Sequence, residues 1–242
     1  MKIRKVIIAL LLSVALLCAT VTPAAAGLPV VPSTYALTYR TGLVYGGYFT
    51  AYLQACNAGY VNGSNVPNAV NKAIWMTLDN SIDYWIEIGF TDGAVDDYGS
   101  GGDGGPPFYN YHGWYFAKFL NDGAGYRMRV FSGPSTANGT HHAWEIQKIG
   151  TNKWAVYIDF IQRASFTATN PPSNAMMYFG WEGNQANNNT PYVAYNESGN
   201  HQYRTSGGTW YNWTSGGLIN TCPYIRVAWK QSGNYTNAKF NY

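Results

Sequence analysis

The feature that most constrains the fold is an alternation of side-chain character with a period of two residues. Side chains on a β-strand point alternately to opposite faces of the sheet. In residues 83–90, one face holds Tyr84, Ile86, Ile88 and Phe90, and the other holds Asp83, Trp85, Glu87 and Gly89. The first set is a core face. The second is not an ordinary solvated face, because it places a carboxylate beside a large ring and a glycine that leaves room above the backbone.

A second stretch, residues 176–183, repeats this arrangement. Its faces hold Met177, Phe179 and Trp181 on one side, and Tyr178, Gly180 and Glu182 on the other. Each of the two predicted strands therefore places one glutamate among aromatic residues and glycines, away from the core. We expect the two glutamates to lie on the same concave face of a sheet.

The rest of the chain predicts an all-β protein. Aromatic residues make up 17% of the chain and charged residues 11%, and aromatic residues interleaved with polar turns favour strands. About a dozen strands are predicted, and no stretch has the helical period. In residues 126–131, Tyr126, Met128 and Val130 are predicted to face the core. The pattern predicts two antiparallel sheets packed face to face as a jelly roll.

The N-terminus has the pattern of a signal peptide. Lys2, Arg4 and Lys5 precede an apolar run at residues 6–17, which is too short to span a bilayer comfortably. Small residues at 24–26 form a cleavage pattern. The sequence therefore predicts a signal peptide at residues 1–26 and a single β-sandwich domain at residues 27–242, secreted to the extracellular space with no membrane segment after cleavage.

The charge balance gives no electrostatic reason to expect nucleic-acid binding. Three of the 15 basic residues lie in the predicted signal peptide, and all 12 acidic residues follow it, so the mature chain has 12 of each. No lysine or arginine cluster indicates nucleic acid. No glycine-rich phosphate loop or dinucleotide fingerprint indicates a cofactor, and none is predicted. The expected partner of this monomer is an extracellular polymer, either protein or polysaccharide.

Two cysteines remain after the predicted signal peptide. Cys56 and Cys222 form an even pair in an exported chain, which predicts a disulfide between the first and last strands. In the chain-entropy model a loop of this size contributes about 5 kcal/mol at most. The alternative is two buried free thiols.

Metal sites are weakly indicated. Four aspartates lie among glycines in residues 92–105, namely Asp92, Asp96, Asp97 and Asp103. Carboxylates on a flexible loop suit Ca²⁺, but the spacing does not match an EF-hand, and a solvated loop is the alternative. Adjacent His141 and His142 point to opposite faces of a strand, which disfavours a shared metal. We therefore predict no metal site.

The two glutamates carry the strongest chemical signal. Carboxylates that face one another across a sheet have pKa values pushed apart, so that one is an acid and the other an ionised base. Such a pair suits glycoside hydrolysis or the activation of water against a peptide bond. The alternative is that Glu87 and Glu182 are ordinary solvated residues.

Residues 75–182 resemble a known family. The runs WMTLD at 75–79, WIEIGF at 85–90 and GWY at 113–115, followed by a strand that ends in Glu182, resemble the glutamic peptidases of the eqolisin type, which are concanavalin-like β-sandwiches. In that family a tryptophan strand precedes strands that carry a catalytic glutamine, a Trp-Tyr pair and a catalytic glutamate. The resemblance implies that Glu87 stands where the glutamine does and that Glu182 is the catalytic glutamate.

Glu87 departs from that family's pattern. A glutamine helps to hold an oxyanion without a charge, and an ionised Glu87 cannot. Neprosin-type glutamic peptidases are similar sandwiches that use two glutamates, and they match this pair better. Concanavalin-like glycosidases and lectins share the fold pattern.

Three functions follow as hypotheses. The first is a secreted, acid-acting hydrolase of the glutamic-peptidase type, with Glu87 and Glu182 as catalytic residues and Trp85, Trp114 and Tyr178 as substrate-binding residues. A two-carboxylate glycoside hydrolase is the alternative form of this hydrolase. The second is a non-catalytic, lectin-like module, in which Trp210 joins those aromatic residues in stacking on sugars. The third is a surface protein without a small-molecule site.

Overall fold

A computed structural model describes residues 33–53, 56–57, 69–78, 84–95, 109–120, 125–168, 176–184, 192–193, 196–221, 225–229 and 236–240. The predicted signal peptide, Cys222 and the acidic residues Asp96, Asp97 and Asp103 lie outside these ranges, as does the side chain of Cys56. Within these ranges, no helix is long and apolar enough to cross a membrane.

The described residues form β-strands in chain order. They are β1 Ser33–Thr41, β2 Gly46–Tyr52, β3 Cys56–Asn57, β4 Ala69–Thr77, β5 Trp85–Val95, β6 Tyr109–Leu120, β7 Gly125–Phe131, β8 His141–Gly150, β9 Lys153–Ile158, β10 Ile161–Thr167, β11 Met176–Asn184, β12 Tyr192–Val193, β13 Asn196–Arg204, β14 Trp210–Asn212, β15 Gly217–Asn220, β16 Ile225–Trp229 and β17 Thr236–Phe240.

Two large sheets contain most of these strands. The seven-stranded sheet has the order β15-β1-β11-β4-β5-β6-β7. The eight-stranded sheet has the order β10-β9-β8-β2-β13-β17-β16, with β14 paired to β13, and β12 pairs with β3 separately. The paired strands run antiparallel. The prediction of an all-β, two-sheet antiparallel sandwich is confirmed.

The main core lies between the two sheets. The seven-stranded sheet contributes Ile86, Ile88 and Phe179, and the eight-stranded sheet contributes Phe49 and Trp144, all of them buried. The rings of Phe49 and Trp144 stack with centroids 4.8 Å apart and an interplanar angle of 9°. Burial of this apolar surface is the main stabilising contribution to such a sandwich. The predicted core faces of β5 and β11 are therefore correct.

Several predicted boundaries differ from the structure. Pro29 and Pro32 predict an extended lead-in over residues 27–39, but β1 begins at Ser33. The polar residues at 57–71 and the glycine-rich residues at 91–107 predict loops, whereas β4 begins at Ala69 and β5 continues to Val95. These segments contain polar residues. They become strands because an adjacent strand offers hydrogen-bond partners to their backbone N–H and C=O groups.

The predicted orientation of β7 is wrong. Met128 is buried in a second cluster with Ala73, Tyr115 and Ala117, and Tyr126 and Val130 pack against that cluster. This cluster lies on the face of the seven-stranded sheet that points away from the main core. Because β7 is an edge strand, its apolar residues cover the end of this outer face.

Candidate active site

A row of small residues crosses the outer face of the seven-stranded sheet. Gly180 of β11 pairs with Ala73 of β4, which pairs in turn with Gly89 of β5. Gly180 has φ +146°, and a Cβ there would collide with the backbone carbonyl of Ala36, so only glycine fits. The three residues form a low floor in the middle of the sheet.

Glu87 borders this floor on β5. Its side chain is only 6% exposed, and the Tyr115 hydroxyl donates a hydrogen bond to its carboxyl oxygen Oε1. The ring of Tyr115 reaches Glu87 by lying across Gly89, where a Cβ would meet ring atoms at 2.6 to 2.7 Å. Glycine at position 89 is therefore required for the contact between Tyr115 and Glu87.

Glu182 borders the floor on β11, at the opposite corner. It pairs across β-strands with Asn71, whose side-chain amide donates a hydrogen bond of 3.4 Å to Glu182 Oε2. Glu87 pairs with Trp75 on the same strand β4. From this register the two glutamate Cα atoms lie roughly 16 Å apart, one strand spacing on each side of β4 and four residues along it. Both side chains lie on the outer face of the sheet, since their partners Asn71 and Trp75 are alternate residues of β4.

The pKa of Glu87 is raised to about 8. Burial is the largest cause, since it disfavours the charged form, and the negative charge of Glu182 is the second. The hydrogen bond from Tyr115 acts in the opposite direction. The pKa of the Tyr115 hydroxyl is itself raised well above its usual value, first by burial and then by Glu87. In acidic and neutral solution Glu87 is therefore a neutral carboxyl group.

Aromatic side chains form a wall beside Glu87. Trp75 and Tyr178 stack with ring centroids 6.0 Å apart, and Trp85 contacts Tyr126 with centroids 5.8 Å apart. Trp75, Trp85 and Tyr178 are half-buried. The structure thus places Trp85 and Tyr178 on the same face as Glu87, as expected, and adds Trp75 between them.

Two of the expected ligand-contacting tryptophans lie elsewhere. Trp114 is 1% exposed in the main core, and its indole Nε1 donates to the carbonyl of Pro134 at 2.9 Å. The assignment of Trp114 to substrate binding is therefore wrong, because its side chain points between the sheets. Trp210 lies on β14 of the eight-stranded sheet, away from Trp85 and Tyr178.

Sequence reasoning also missed site residues. Tyr115, Asn71 and Trp75 contact the glutamates or their aromatic neighbours, and none was predicted to do so. On β6 both faces are aromatic, so the sequence shows no polar side that would distinguish Trp114 from Tyr115. The signal that was present is the glycine at 113, which marks the same face of β6 as Tyr115.

No metal centre is formed by the described residues, which contain no cluster of three or more histidine, cysteine, aspartate or glutamate side chains. Asp92, one of the four loop aspartates, lies 3.5 Å from His112 Nδ1. His142 Nδ1 lies 2.7 Å from Asp159 Oδ2, and His201 is fully buried in the main core. The predicted disulfide falls outside the described side chains.

The fold and this face together define a β-sandwich with two glutamates on the outer side of one sheet. No protein-family model matches the sequence, and no curated protein sequence matches it. Solved structures similar to this chain include two peptidases. One is scytalido-glutamic peptidase with a transition state analog inhibitor, at 12% identity and a TM-score of 0.48, covering 87% of this chain and 100% of that one.

The second is SCP-B, a member of the eqolisin family of peptidases, in complex with the tripeptide Ala-Ile-His, at 11% identity and a TM-score of 0.45, covering 87% of this chain and 100% of that one. A third similar structure is the β-glucanase of Bacillus licheniformis, at 11% identity and a TM-score of 0.35, covering 84% of this chain and 69% of that one. At such identities nothing about activity follows from the likeness.

Proposed function

We propose that this chain is a secreted, acid-acting hydrolase of the glutamic-peptidase type. In this proposal Glu182 is the general base and Glu87 is a neutral hydrogen-bond donor. The observation that carries the proposal is the burial of Glu87 on the same sheet face as Glu182, which raises the pKa of Glu87 to about 8. Glu87 is thus kept neutral on the sheet face that also holds Glu182, and a neutral acid beside an ionised base is the division that acid-base hydrolysis requires.

The reaction begins with a peptide bound on the outer face of the seven-stranded sheet, between Glu87 and Glu182. Glu182 accepts a proton from a water molecule as the water oxygen attacks the carbonyl carbon of the substrate. The carbonyl oxygen becomes an oxyanion, which the neutral carboxyl group of Glu87 stabilises by donating a hydrogen bond. Glu182 then returns its proton to the leaving nitrogen as the C–N bond breaks, so that protons and charge balance.

A neutral glutamate can perform the work of a glutamine at this position. Both side chains then offer a hydrogen-bond donor without negative charge, through O–H in one and N–H in the other. The hydroxyl of Tyr115 donates to Oε1 of Glu87, which leaves the proton of the carboxyl group for the other oxygen. The departure from the eqolisin pattern is therefore chemically tolerated below the pKa of Glu87.

The aromatic wall favours an apolar substrate side chain near the scissile bond. Trp75, Trp85 and Tyr178 are half-buried and leave part of their surface open above Glu87. Such surfaces gain most from burying apolar or aromatic groups.

The decisive experiment is digestion of a denatured protein at pH 5 and at pH 9, followed by mass spectrometry of the products. We expect cleavage in acid and its loss in Glu182→Gln, which keeps the shape of the side chain. Glu145→Gln is the matched control, because Glu145 is also a half-buried glutamate but lies on the other sheet. Equal cleavage by Glu182→Gln and the native protein would contradict the proposal.

A two-carboxylate glycoside hydrolase is the second candidate. The same observation favours it, since a protonated and an ionised carboxyl group are what glycoside cleavage needs. The two candidates differ in their response to Glu87→Gln. A glycosidase requires Glu87 to transfer its proton and loses activity on polysaccharides, whereas the peptidase retains activity.

Secretion is tested separately, by N-terminal sequencing of the exported protein, which is expected to begin at Gly27.

A further inference from the structure

The eight-stranded sheet has a groove on its outer face, away from both the main core and the two glutamates of the other sheet. The groove has a volume of about 500 Å³ and is lined by Tyr48, Glu145, Phe160, Asn200, Gln202 and Trp210. It lies outside because Phe49 and Trp144, the sequence neighbours of Tyr48 and Glu145, point into the core. No part of the proposed hydrolytic reaction uses it.

Phe160 borders this groove in a backbone conformation that phenylalanine rarely adopts. Ile158 pairs with Ile161, so Asp159 and Phe160 form a two-residue turn, with φ +52° and +63°. Asparagine and glycine are usual in such turns, and a bulky residue there is strained. Phe160 is nevertheless 70% exposed, and its ring stacks on Tyr48 with centroids 5.9 Å apart. Neither burial nor local conformation explains a phenylalanine at this position.

Hydrogen bonds of the Asp159 side chain to strand β8 fix the turn. Its carboxylate accepts hydrogen bonds from His142 Nδ1 at 2.7 Å and from the backbone N–H of Ala143 at 2.9 Å. These bonds hold Phe160 in its strained conformation with the ring presented outward. Strained residues of this kind persist where the surrounding structure fixes them, and they concentrate at ligand-binding positions.

A β-bulge shapes the other side of the groove. Gly199 pairs with Thr50 and Gln202 pairs with Tyr48, so β13 has one extra residue between these pairs. The bulge turns His201 into the core, where it is fully buried, and leaves Asn200 at φ +54° and exposed. Bulges commonly re-aim side chains in this way. Two amide side chains, Asn200 and Gln202, therefore border the groove.

Among the described residues, no lysine or arginine is free to bind an anionic ligand in the groove. Glu145 is half-buried between its cross-strand neighbours Tyr48 and Tyr157, and within the described part of the chain no hydrogen bond to its carboxylate is formed. The nearby cation, Arg204, is committed elsewhere. Its guanidinium donates to Gln147 Oε1 at 3.0 Å, to the Lys148 carbonyl at 2.9 Å and to the Gly208 carbonyl at 3.2 Å.

We infer that this outer groove binds a neutral oligosaccharide. The exposed ring of Phe160 and the half-buried rings of Tyr48 and Trp210 supply faces on which the C–H surfaces of sugar rings stack. The carboxylate of Glu145 and the amides of Asn200 and Gln202 supply acceptors and donors for hydroxyl groups, in the mixture of apolar surface and few polar groups that is usual for ligand sites. Among the described residues no lysine or arginine lines the groove, which disfavours phosphate-bearing or sulfated ligands.

The test is isothermal titration of the protein with three neutral probes: cellohexaose, laminarihexaose and mannohexaose. We expect at least one to bind and Phe160→Gly to weaken that binding roughly tenfold or more, because truncated aromatic anchors cost most in such sites. Glycine also relieves the strain at φ +63°, so the melting temperature should stay equal or rise. Loss of binding therefore cannot be attributed to unfolding.

Trp210→Ala and Glu145→Ala are expected to weaken the same probe, and Leu218→Ala is the control. Leu218 is also an exposed apolar residue, at 40%, but it lies on the seven-stranded sheet. The inference is overturned if no probe binds. It is equally overturned if binding survives Phe160→Gly and Trp210→Ala, or is lost instead in Trp75→Ala, which would place the sugar at the two glutamates. Peptide cleavage is expected to be unchanged in Phe160→Gly.

Discussion

The ring of Tyr115 lies directly across Gly89. This contact between neighbouring strands β5 and β6 brings the tyrosine hydroxyl to the carboxyl group of Glu87. A glycine in a strand interior usually weakens the strand, and it is found where another group must approach the backbone closely. Here the approaching group is the side chain that sets the hydrogen bonding of the buried glutamate.

Gly89→Ala is predicted to separate Tyr115 from Glu87. The added Cβ would lie 2.6 to 2.7 Å from the ring, so the ring must move. Because the Tyr115 hydrogen bond lowers the pKa of Glu87, its loss raises that pKa further above about 8. The measurement is a ¹³C NMR titration of the glutamate carboxyl carbons, in which Tyr115→Phe should show the same upward shift. An unchanged or lower pKa in both variants would contradict the contact.

The stability of the native protein is predicted to fall between about pH 4.5 and pH 8. The pKa of Glu87 is raised from 4.5 to about 8 in the folded state, so the folded state keeps a proton that the unfolded state releases as the pH rises. The stabilisation is fully present below pH 4.5 and lost by about pH 8, with a slope of at most about 1.4 kcal/mol per pH unit.

Urea midpoints at pH 5 and pH 8 measure this dependence. Glu87→Gln has no ionisable group at this position, so its stability should decline less than that of the native protein over the same range. Glu145, whose pKa is raised to about 7 mainly by burial, adds a decline of the same sign that both proteins share. Parallel declines in the native protein and Glu87→Gln would show that Glu87 ionises freely in the fold.

Peptide cleavage by Glu87→Gln is predicted to persist in acid. The amide replaces a neutral carboxyl group as hydrogen-bond donor, and it cannot ionise. On the proposed mechanism, the native protein should lose activity as the pH approaches the pKa of Glu87, whereas the variant should show no such decline on the alkaline side. The profile of kcat/KM against pH, measured on a soluble peptide, distinguishes the two. Complete inactivity of Glu87→Gln at every pH would show that proton transfer from Glu87 is essential.

Gly180→Ala is predicted to destabilise the domain by about 2 kcal/mol or more. Its φ of +146° is unfavourable for alanine, and the new Cβ would collide with the carbonyl of Ala36 on β1. Thermal unfolding measures the effect. Gly207→Ala is the control, since a Cβ there meets no atom within 4 Å. Equal melting temperatures for the two variants would mean that β1 and β11 adjust without cost.

The sequence predicted the orientation of both glutamates because their strands have a clear apolar face. In β5 and β11, alternate residues such as Ile86, Ile88 and Phe179 are buried in the core, which forces Glu87 and Glu182 to the other side. The same reasoning failed on β6 and β7, where both faces carry aromatic or long side chains and alternation alone does not identify the core side.

Tertiary contacts decided other features that no local pattern shows. Lys72 lies on the core face of β4 and is fully buried. Its Nζ sits 5.2 Å from the ring centroid of Trp181 and 5.8 Å from that of Trp144, and it donates to the Tyr52 carbonyl at 3.4 Å. A buried lysine is expected only where rings and carbonyls compensate for its lost hydration, and those partners come from distant strands. β13 is likewise rich in polar residues and shows no apolar alternation in the sequence, and it forms a strand through its pairing with β2 and β17.

The position of β11 inside its sheet has a consequence for how the domain is made. Strands β4 to β7 are neighbours in both sequence and space, so they can pair soon after they are synthesised. Strand β11 must later enter between β1 and β4, gaining a partner on each edge. Glu87 is therefore in place well before Glu182 joins it. A ribosome-bound or truncated chain that lacks β11 carries half of the candidate site, which is complete only with the completed sheet.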